Sequence, residues 1–162
     1  MRIGVISDTH ISAKDGGLPL EVLDGFKHVD MVIHAGDMVD PAVFRKLQSA
    51  CKDVRAVRGN MDVADLENNF PEKLIIHIGK HSIGVMHGHG TPANLVEVLK
   101  EAFKNDLVDV IIFGHSHSPF NEKINGILFF NPGSPTDKVF APYNSYGIIE
   151  VNDNIEARII KI

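Results

Sequence analysis

Apolar residues recur along this chain in short runs separated by amphipathic stretches. Residues 3–6 form a short apolar run that reads as a buried strand opening at Ser7. Within 18–28, Leu20, Leu23 and Phe26 recur at helical spacing. A second buried strand is predicted over 31–35, broken by Gly36. Asp40 is a good N-cap residue and Pro41 suits the first helical position, so 41–49 reads as a helix. A third strand covers 54–57 and ends at Gly59. Beyond Pro71 the texture changes. Strands over 73–78 and 81–87 flank Gly79-Lys80, which predicts a hairpin. Thr91-Pro92 repeats the cap-plus-proline start, and 93–103 continues helically through Leu95, Val98, Leu99 and Ala102. A buried strand over 108–113 stops at Gly114. Short strands follow over 120–124, 127–131, 146–151 and 155–160.

The first half therefore alternates strand and helix, whereas the second is rich in strands. That order predicts an α/β (α+β) chain in which two sheets pack face to face with helices outside, as one domain over 1–162. The 162 residues are 44% hydrophobic and 23% charged, the balance of a globular protein. A formal charge of −5 argues against an extended nucleic-acid surface, which needs a clustered basic face. It leaves nucleotides open as substrates, because bound cations invert the local field. The one cysteine, Cys51, fits a reducing compartment. Met1 and Arg2 run straight into the first apolar run, and no run reaches the ~20 residues of a membrane span. A cytoplasmic location is expected.

The candidate chemistry gathers where strands end. Asp8-Thr9-His10 follows the first strand, Gly36-Asp37 the second and Gly59-Asn60 the third. His87-Gly88-His89 follows the hairpin, and Gly114-His115-Ser116-His117 follows 108–113. In α/β sheets, strand C-termini open into one crevice. Carboxylate, imidazole and amide oxygen together suit borderline divalent ions such as manganese, nickel, iron, cobalt or zinc. In Asp8-x-His10 and His115-x-His117 the two side chains lie two residues apart, so an extended segment would present both on one face.

These motifs, in this order, resemble the calcineurin-like metallophosphoesterases. The short length and Gly59-Asn60-Met61-Asp62 look most like the small prokaryotic phosphodiesterase branch. The resemblance implies a four-layer fold, a β-sandwich flanked by helices. It implies that Asp8, His10 and His117 hold one metal ion, that Asp37 bridges two, and that Asn60, His87 and His115 hold the second. It implies hydrolysis of a phosphate diester by a hydroxide shared between ions about 3.5–4 Å apart. Manganese is the ion expected to serve best in assay. A small phosphate ester, nucleotides included, is the expected substrate. Asn60 would also donate to a phosphate oxygen, and His89 would serve near the leaving group. Many relatives carry histidine after the Gly-Asn pair; here Met61 has no proton to donate, so weak turnover is expected for esters with basic leaving groups.

Other readings stand beside these. A retromer subunit resembles the same fold and serves as a noncatalytic binding platform, which makes a scaffold the alternative function. Asp62 suits a cap for a following turn, and Asn131-Pro132-Gly133-Ser134 suits either a site rim or an ordinary turn. His28, His77 and His81 read as structural or surface residues, and His34 as a second support for the site. Phe120, Phe129, Phe130, Phe140 and Tyr143 are expected to form an exposed apolar surface for a homo-oligomer.

Overall fold

The computed structural model describes residues 1–11 and 17–162. Among them, the element order is β1 (Arg2–Ile6), α1 (Leu20–Phe26), β2 (Met31–His34), α2 (Pro41–Ala50), β3 (Val54–Ala56), α3 (Ala64–Asn69), β4 (Lys73–Ile78) and β5 (His81–Met86). A 3₁₀ turn at Pro92–Asn94 then leads into α4 (Leu95–Ala102), β6 (Val110–Ile112), β7 (Phe120–Ile124), β8 (Ile127–Asn131), β9 (Ser145–Val151) and β10 (Ile155–Lys161). Two five-stranded mixed sheets result, ordered β10-β9-β1-β2-β3 and β4-β5-β6-β8-β7.

In the first sheet β1, β2 and β3 run parallel, with Val5 opposite Ile33 and Val32 opposite Val54. In the second, β5, β6 and β8 run parallel, with Val85 opposite Ile112 and Ile112 opposite Phe130. Antiparallel pairings β1–β9, β9–β10, β4–β5 and β7–β8 add the remaining strands. The β7–β8 turn is Asn125-Gly126, both at positive φ, the pairing that a tight two-residue hairpin favours.

Alternation along the strands builds three apolar layers. Ile3, Val5, Ile33, Val85, Val110, Ile112, Phe130 and Ile149 pack together between the sheets. Ile6, Val32 and Ile148 join Val22, Phe26 and Leu47 from the helices on the outer face of the first sheet. Met86, Ile111 and Phe129 meet Leu95, Leu99 and Phe103 on the outer face of the second. The expected two-sheet sandwich with helices outside is thus the observed one.

Two glycines let the helical aromatics settle on the sheets. A Cβ at Gly4 would lie 2.6 Å from the Phe26 ring, and one at Gly84 would lie 2.4 Å from Phe103. Phe26 and Phe103 are almost wholly buried and have nowhere to move.

Several expectations need correcting. Asp40 caps α2 as expected, accepting from Ala42 N–H at 2.8 Å. Thr91 makes no capping bond, and the Pro92 turn is 3₁₀ before α4 begins at Leu95. Asp62 does not cap α3, whose N-cap is Val63. The apolar surface foreseen for a homo-oligomer is not a surface. Phe129 and Phe130 are core residues, because β8 is an inner strand covered on both faces. Phe120 is half-buried against Phe113, and of the five only Phe140 is exposed. No helix among the described residues is long and apolar enough to cross a membrane.

Gly84→Ala is expected to lower unfolding free energy by about 1–3 kcal/mol through overpacking against Phe103. Denaturant melts check this. An unchanged midpoint would mean that the Phe103 contact is not tight.

Candidate metal centre

Each candidate ligand sits just past the C-terminal end of a strand: Asp8 and His10 after β1, Asp37 after β2, Asn60 after β3, His87 after β5, His115 and His117 after β6. Parallel strands in both sheets bring these exits to one rim. Asp8 N–H donates to Gly36 O at 3.0 Å, and Gly114 N–H to His87 O at 3.1 Å, so neighbouring exits are tied. The two sheets are joined there as well: His115 N–H donates to the Asp8 carboxylate at 3.0 Å, and His87 Nδ1–H to Ala35 O at 2.7 Å.

Backbone strain marks the same residues. Asp8, His10, Asp37, His115 and His117 all have φ between 43° and 68°. That region costs an L-residue on the order of 1–3 kcal/mol and persists only where the surroundings enforce it. Side chains from other loops enforce it. Ser134 Oγ donates to Asp8 O at 2.7 Å, Thr136 Oγ to Thr9 O, and Asn131 Nδ2 to Gly114 O at 2.9 Å. Asp62 accepts from Val39 N–H and Gly59 N–H, both at 2.7 Å, clamping the loops after β2 and β3.

The donor atoms converge in two groups. One nitrogen or oxygen each from Asp8, His10 and His117 lies within 4.8 Å of the others, and so do atoms of Asp8, Asp37 and His87. His10 Nε2 is 3.2 Å from His117 Nε2, and His117 Nε2 is 3.4 Å from Asp8 Oδ1. Asp37 Oδ2 lies 3.4 Å from His10 Nε2 and 3.3 Å from His87 Nε2, so it faces both groups. Its partner Oδ1 is engaged by Met61 N–H at 2.7 Å. Two ligands bound at about 2.1 Å to one ion lie about 3.0 Å apart at a right angle and about 3.4 Å apart at the tetrahedral angle. The separations of 3.2 to 3.4 Å match those edges, while His87 Nε2 lies 3.9 Å from Asp8 Oδ1. His87 is almost wholly buried, yet its Nε2 has no hydrogen-bond partner; Asp37 is near but outside hydrogen-bonding geometry. An orphaned, buried imidazole nitrogen aimed at two carboxylates fits a metal ligand.

The titration behaviour agrees. Burial pushes the Asp8 carboxyl above its usual range, opposed by His87, the Ser7 hydroxyl and His117. Burial also acts to raise Asp37, but His87, the Met61 N–H and His10 hold it below 3.8. For His87, burial works against the charged ring, yet Asp37, Asp8 and the Ala35 carbonyl raise its pKa above 6.5. Without a cation, these groups compete for protons.

Asn60 and His115 stand outside both groups. His115 Nε2 donates to Gly90 O at 2.8 Å, while its Nδ1 faces Asn60 Oδ1 at 3.0 Å. The Nδ1 lone pair then confronts an amide oxygen, a contact that a shared cation or a turned amide would relieve. His89 is exposed and lines a cavity of about 350 Å³ with Arg58, Asn60, Glu72 and His87. The Met61 side chain is exposed. His34 is wholly buried and held neutral, chiefly by desolvation, with a pKa of about 4. Gly36 N–H donates to its Nδ1, so Nε2–H donates to Thr9 Oγ at 3.2 Å, steadying the loop after β1. His28 and His77 are exposed, His81 half-buried, and all three are remote from the rim.

Of the two readings of Asn131–Ser134 the site rim is the observed one, with Asn131 and Ser134 bracing it, whereas sequence reading missed Thr136 and missed Asp137, whose Oδ2 accepts from His117 Nδ1 at 2.5 Å. The Asn131–Ser134 stretch carried turn chemistry; Asp137 carried no local signal at all.

Residues 1–154 match the calcineurin-like phosphoesterase superfamily domain. The chain belongs to the calcineurin-like phosphoesterase superfamily. It is 42% identical over 163 residues to a probable metallophosphoesterase of Methanocaldococcus jannaschii, covering 100% of this chain and 82% of that protein. Among solved structures it resembles an archaeal phosphodiesterase with a TM-score of 0.79, at 26% identity over 100% of both chains. It resembles equally the Entamoeba histolytica vacuolar sorting protein Vps29 complexed with zinc, with a TM-score of 0.80, at 25% identity over 99% of both chains. Superfamily membership agrees with the resemblance drawn from the five motifs.

Divalent-ion affinity is expected to rise with pH through neutrality. His87 must be neutral to bind a cation, and its raised pKa prolongs proton competition above pH 6.5. Calorimetric titrations in buffers of different ionisation enthalpy check this through proton release. Affinity that is flat with pH, without released protons, would contradict it.

Proposed function

We propose that this chain is a phosphodiesterase that works with two divalent ions. The observation that carries this reading is the meeting of two donor groups through Asp8 and Asp37, with Asp37 Oδ2 facing histidines of both. Asp8, His10 and His117 would hold one ion, and His87 with Asn60 and His115 the other, Asp37 serving both. The bound ions would supply Lewis acidity toward phosphate oxygens and a hydroxide nucleophile near neutral pH.

The chain's own groups set the stage for that chemistry. Asp8 and Asp37 are the buried carboxylates common to the donor groups, and two divalent charges against this pair would leave an excess that attracts a phosphate anion. Met61 N–H and His115 N–H hold the carboxylates in orientation. Asn60 Nδ2 would donate to a phosphate oxygen. His89 would reach the leaving group from the rim. Met61 brings no proton, which disfavours esters with basic leaving groups.

A diester suits the surroundings better than a monoester. Two cavities diverge from the donor cluster. One, of about 760 Å³, is lined by His10, His117, Lys138 and Phe140; the other, of about 350 Å³, by Arg58, Asn60, His87 and His89. Each could receive one arm of a diester such as a linear dinucleotide. The similarity to an archaeal phosphodiesterase points the same way. Among the metals, supply decides, and manganese is our choice for assay.

The likeness to Vps29 favours a second reading, a binding scaffold. Because that structure holds zinc, metal uptake does not separate the two readings; turnover does. Protein loaded with manganese is expected to cleave an activated aryl phosphodiester faster than the corresponding monoester. No turnover across several metals, with the metals shown bound, would favour the scaffold. Asp37→Asn should cut turnover by roughly 10³-fold, the equivalent of several kcal/mol of charge stabilisation, with folding intact. Near-normal turnover would remove Asp37 from its role. Met61→His should raise monoester turnover by up to ~10²-fold; unchanged rates would show that the absent acid is not limiting.

A further inference from the structure

We propose that Asp137 is the positioning residue of His117, selecting the ring tautomer and the rotation that turn Nε2 toward Asp8 and His10. The proposal rests on the metal-binding reading above.

Four donors to one carboxylate carry it. Asp137 Oδ2 accepts from His117 Nδ1 at 2.5 Å, from Phe140 N–H at 3.1 Å and from Ala141 N–H at 3.0 Å; Oδ1 accepts from Val139 N–H at 2.8 Å. The residue itself is anchored. Its N–H donates to Ser134 Oγ at 3.0 Å, and Asn144 Nδ2 donates to its carbonyl at 2.7 Å. Ser134 Oγ in turn donates to Asp8 O, so the carboxylate behind His117 is built onto the backbone of Asp8.

An ionised carboxylate only accepts, so His117 Nδ1 carries the hydrogen and the neutral ring keeps its lone pair at Nε2. Nε2 is the atom that lies 3.2 Å from His10 Nε2 and 3.4 Å from Asp8 Oδ1. Turning the ring over would place a C–H against Asp137 and forfeit a charge-assisted bond. The Phe140 ring meets His117 edge-on at 5.9 Å, and its backbone is held by the same carboxylate. Rotation is therefore restrained from two sides. His87 obtains the same tautomer from a neutral carbonyl, that of Ala35. The two histidines differ in that His117 alone has a negative charge behind it, and such a charge raises the basicity of a ligating imidazole.

A residue that merely braced its loop would leave the ring's protonation pattern unchanged when altered. The test uses the full chain with ¹⁵N-labelled histidine. Ring nitrogen shifts of metal-free protein at alkaline pH are read beside manganese and zinc affinities from chelator competition. Wild type should show His117 as the Nδ1–H tautomer. Asp137→Ala should shift it toward Nε2–H and weaken metal binding roughly 10–100-fold. Asp137→Asn keeps an acceptor and loses the charge; it should retain the tautomer and show a smaller loss of affinity. Wild-type affinity and tautomer in Asp137→Ala would overturn the proposal. If that variant does not fold, wild-type affinity in Asp137→Asn would overturn it. Should wild type bind no metal, the metal reading fails, and the tautomer in Asp137→Ala decides the role of Asp137 alone: lost, it stands; kept, it falls.

Discussion

Two carboxylates taken out of water within reach of each other set the terms for the rest of this molecule. Asp8 and Asp37 are buried, and among the described residues their ion-pair partners are imidazoles rather than lysine or arginine. Burial of an unpaired carboxylate is costly enough that the group ordinarily takes up a proton instead. Burial raises the pKa of Asp8, whereas His87, the Met61 N–H and His10 outweigh burial at Asp37 and lower its pKa. The raised pKa of His87 is the other side of the same balance. A rim of this composition suits divalent cations, each of which bonds several donor atoms at once.

Holding that arrangement shapes the chain around it. Five of the seven candidate ligands sit in strained backbone, and polar residues from distant loops pin four of the five strand exits: Ser134 on Asp8, Asn131 on Gly114, Asp62 on Gly59 and Val39. Gly59 answers the same demand by leaving room, since a Cβ there would lie 2.1 Å from Asp37 Oδ1. The layered apolar core makes this affordable. Three packed layers fix ten strands among the described residues, and the rim draws on that rigidity.

Much of this was legible in the sequence because it is local. Alternating apolar residues, the Asp40-Pro41 start and the Gly79-Lys80 turn each act over a few residues, and the strands and α2 lie where they point. The candidate-ligand motifs were legible because each falls shortly after a strand. What escaped depends on contacts distant in sequence. Asp137 meets His117 across 20 residues, and Ser134 meets Asp8 across 126. Asp62 resembled a helix cap but clamps two loops. Phe129 and Phe130 resembled an exposed patch because nothing in their neighbourhood reveals that β8 is an inner strand. Thr91 had the residue type of a cap, but its helix opens as a 3₁₀ turn.

The central claim is that donors from five strand exits form one pocket for two cations. Anomalous diffraction from manganese-soaked crystals tests it most directly. The account predicts two peaks, one within bonding distance of Asp8, His10 and His117, the other beside His87, with Asp37 touching both. Absence of either peak from the rim, or manganese bound only elsewhere on the surface, would contradict it.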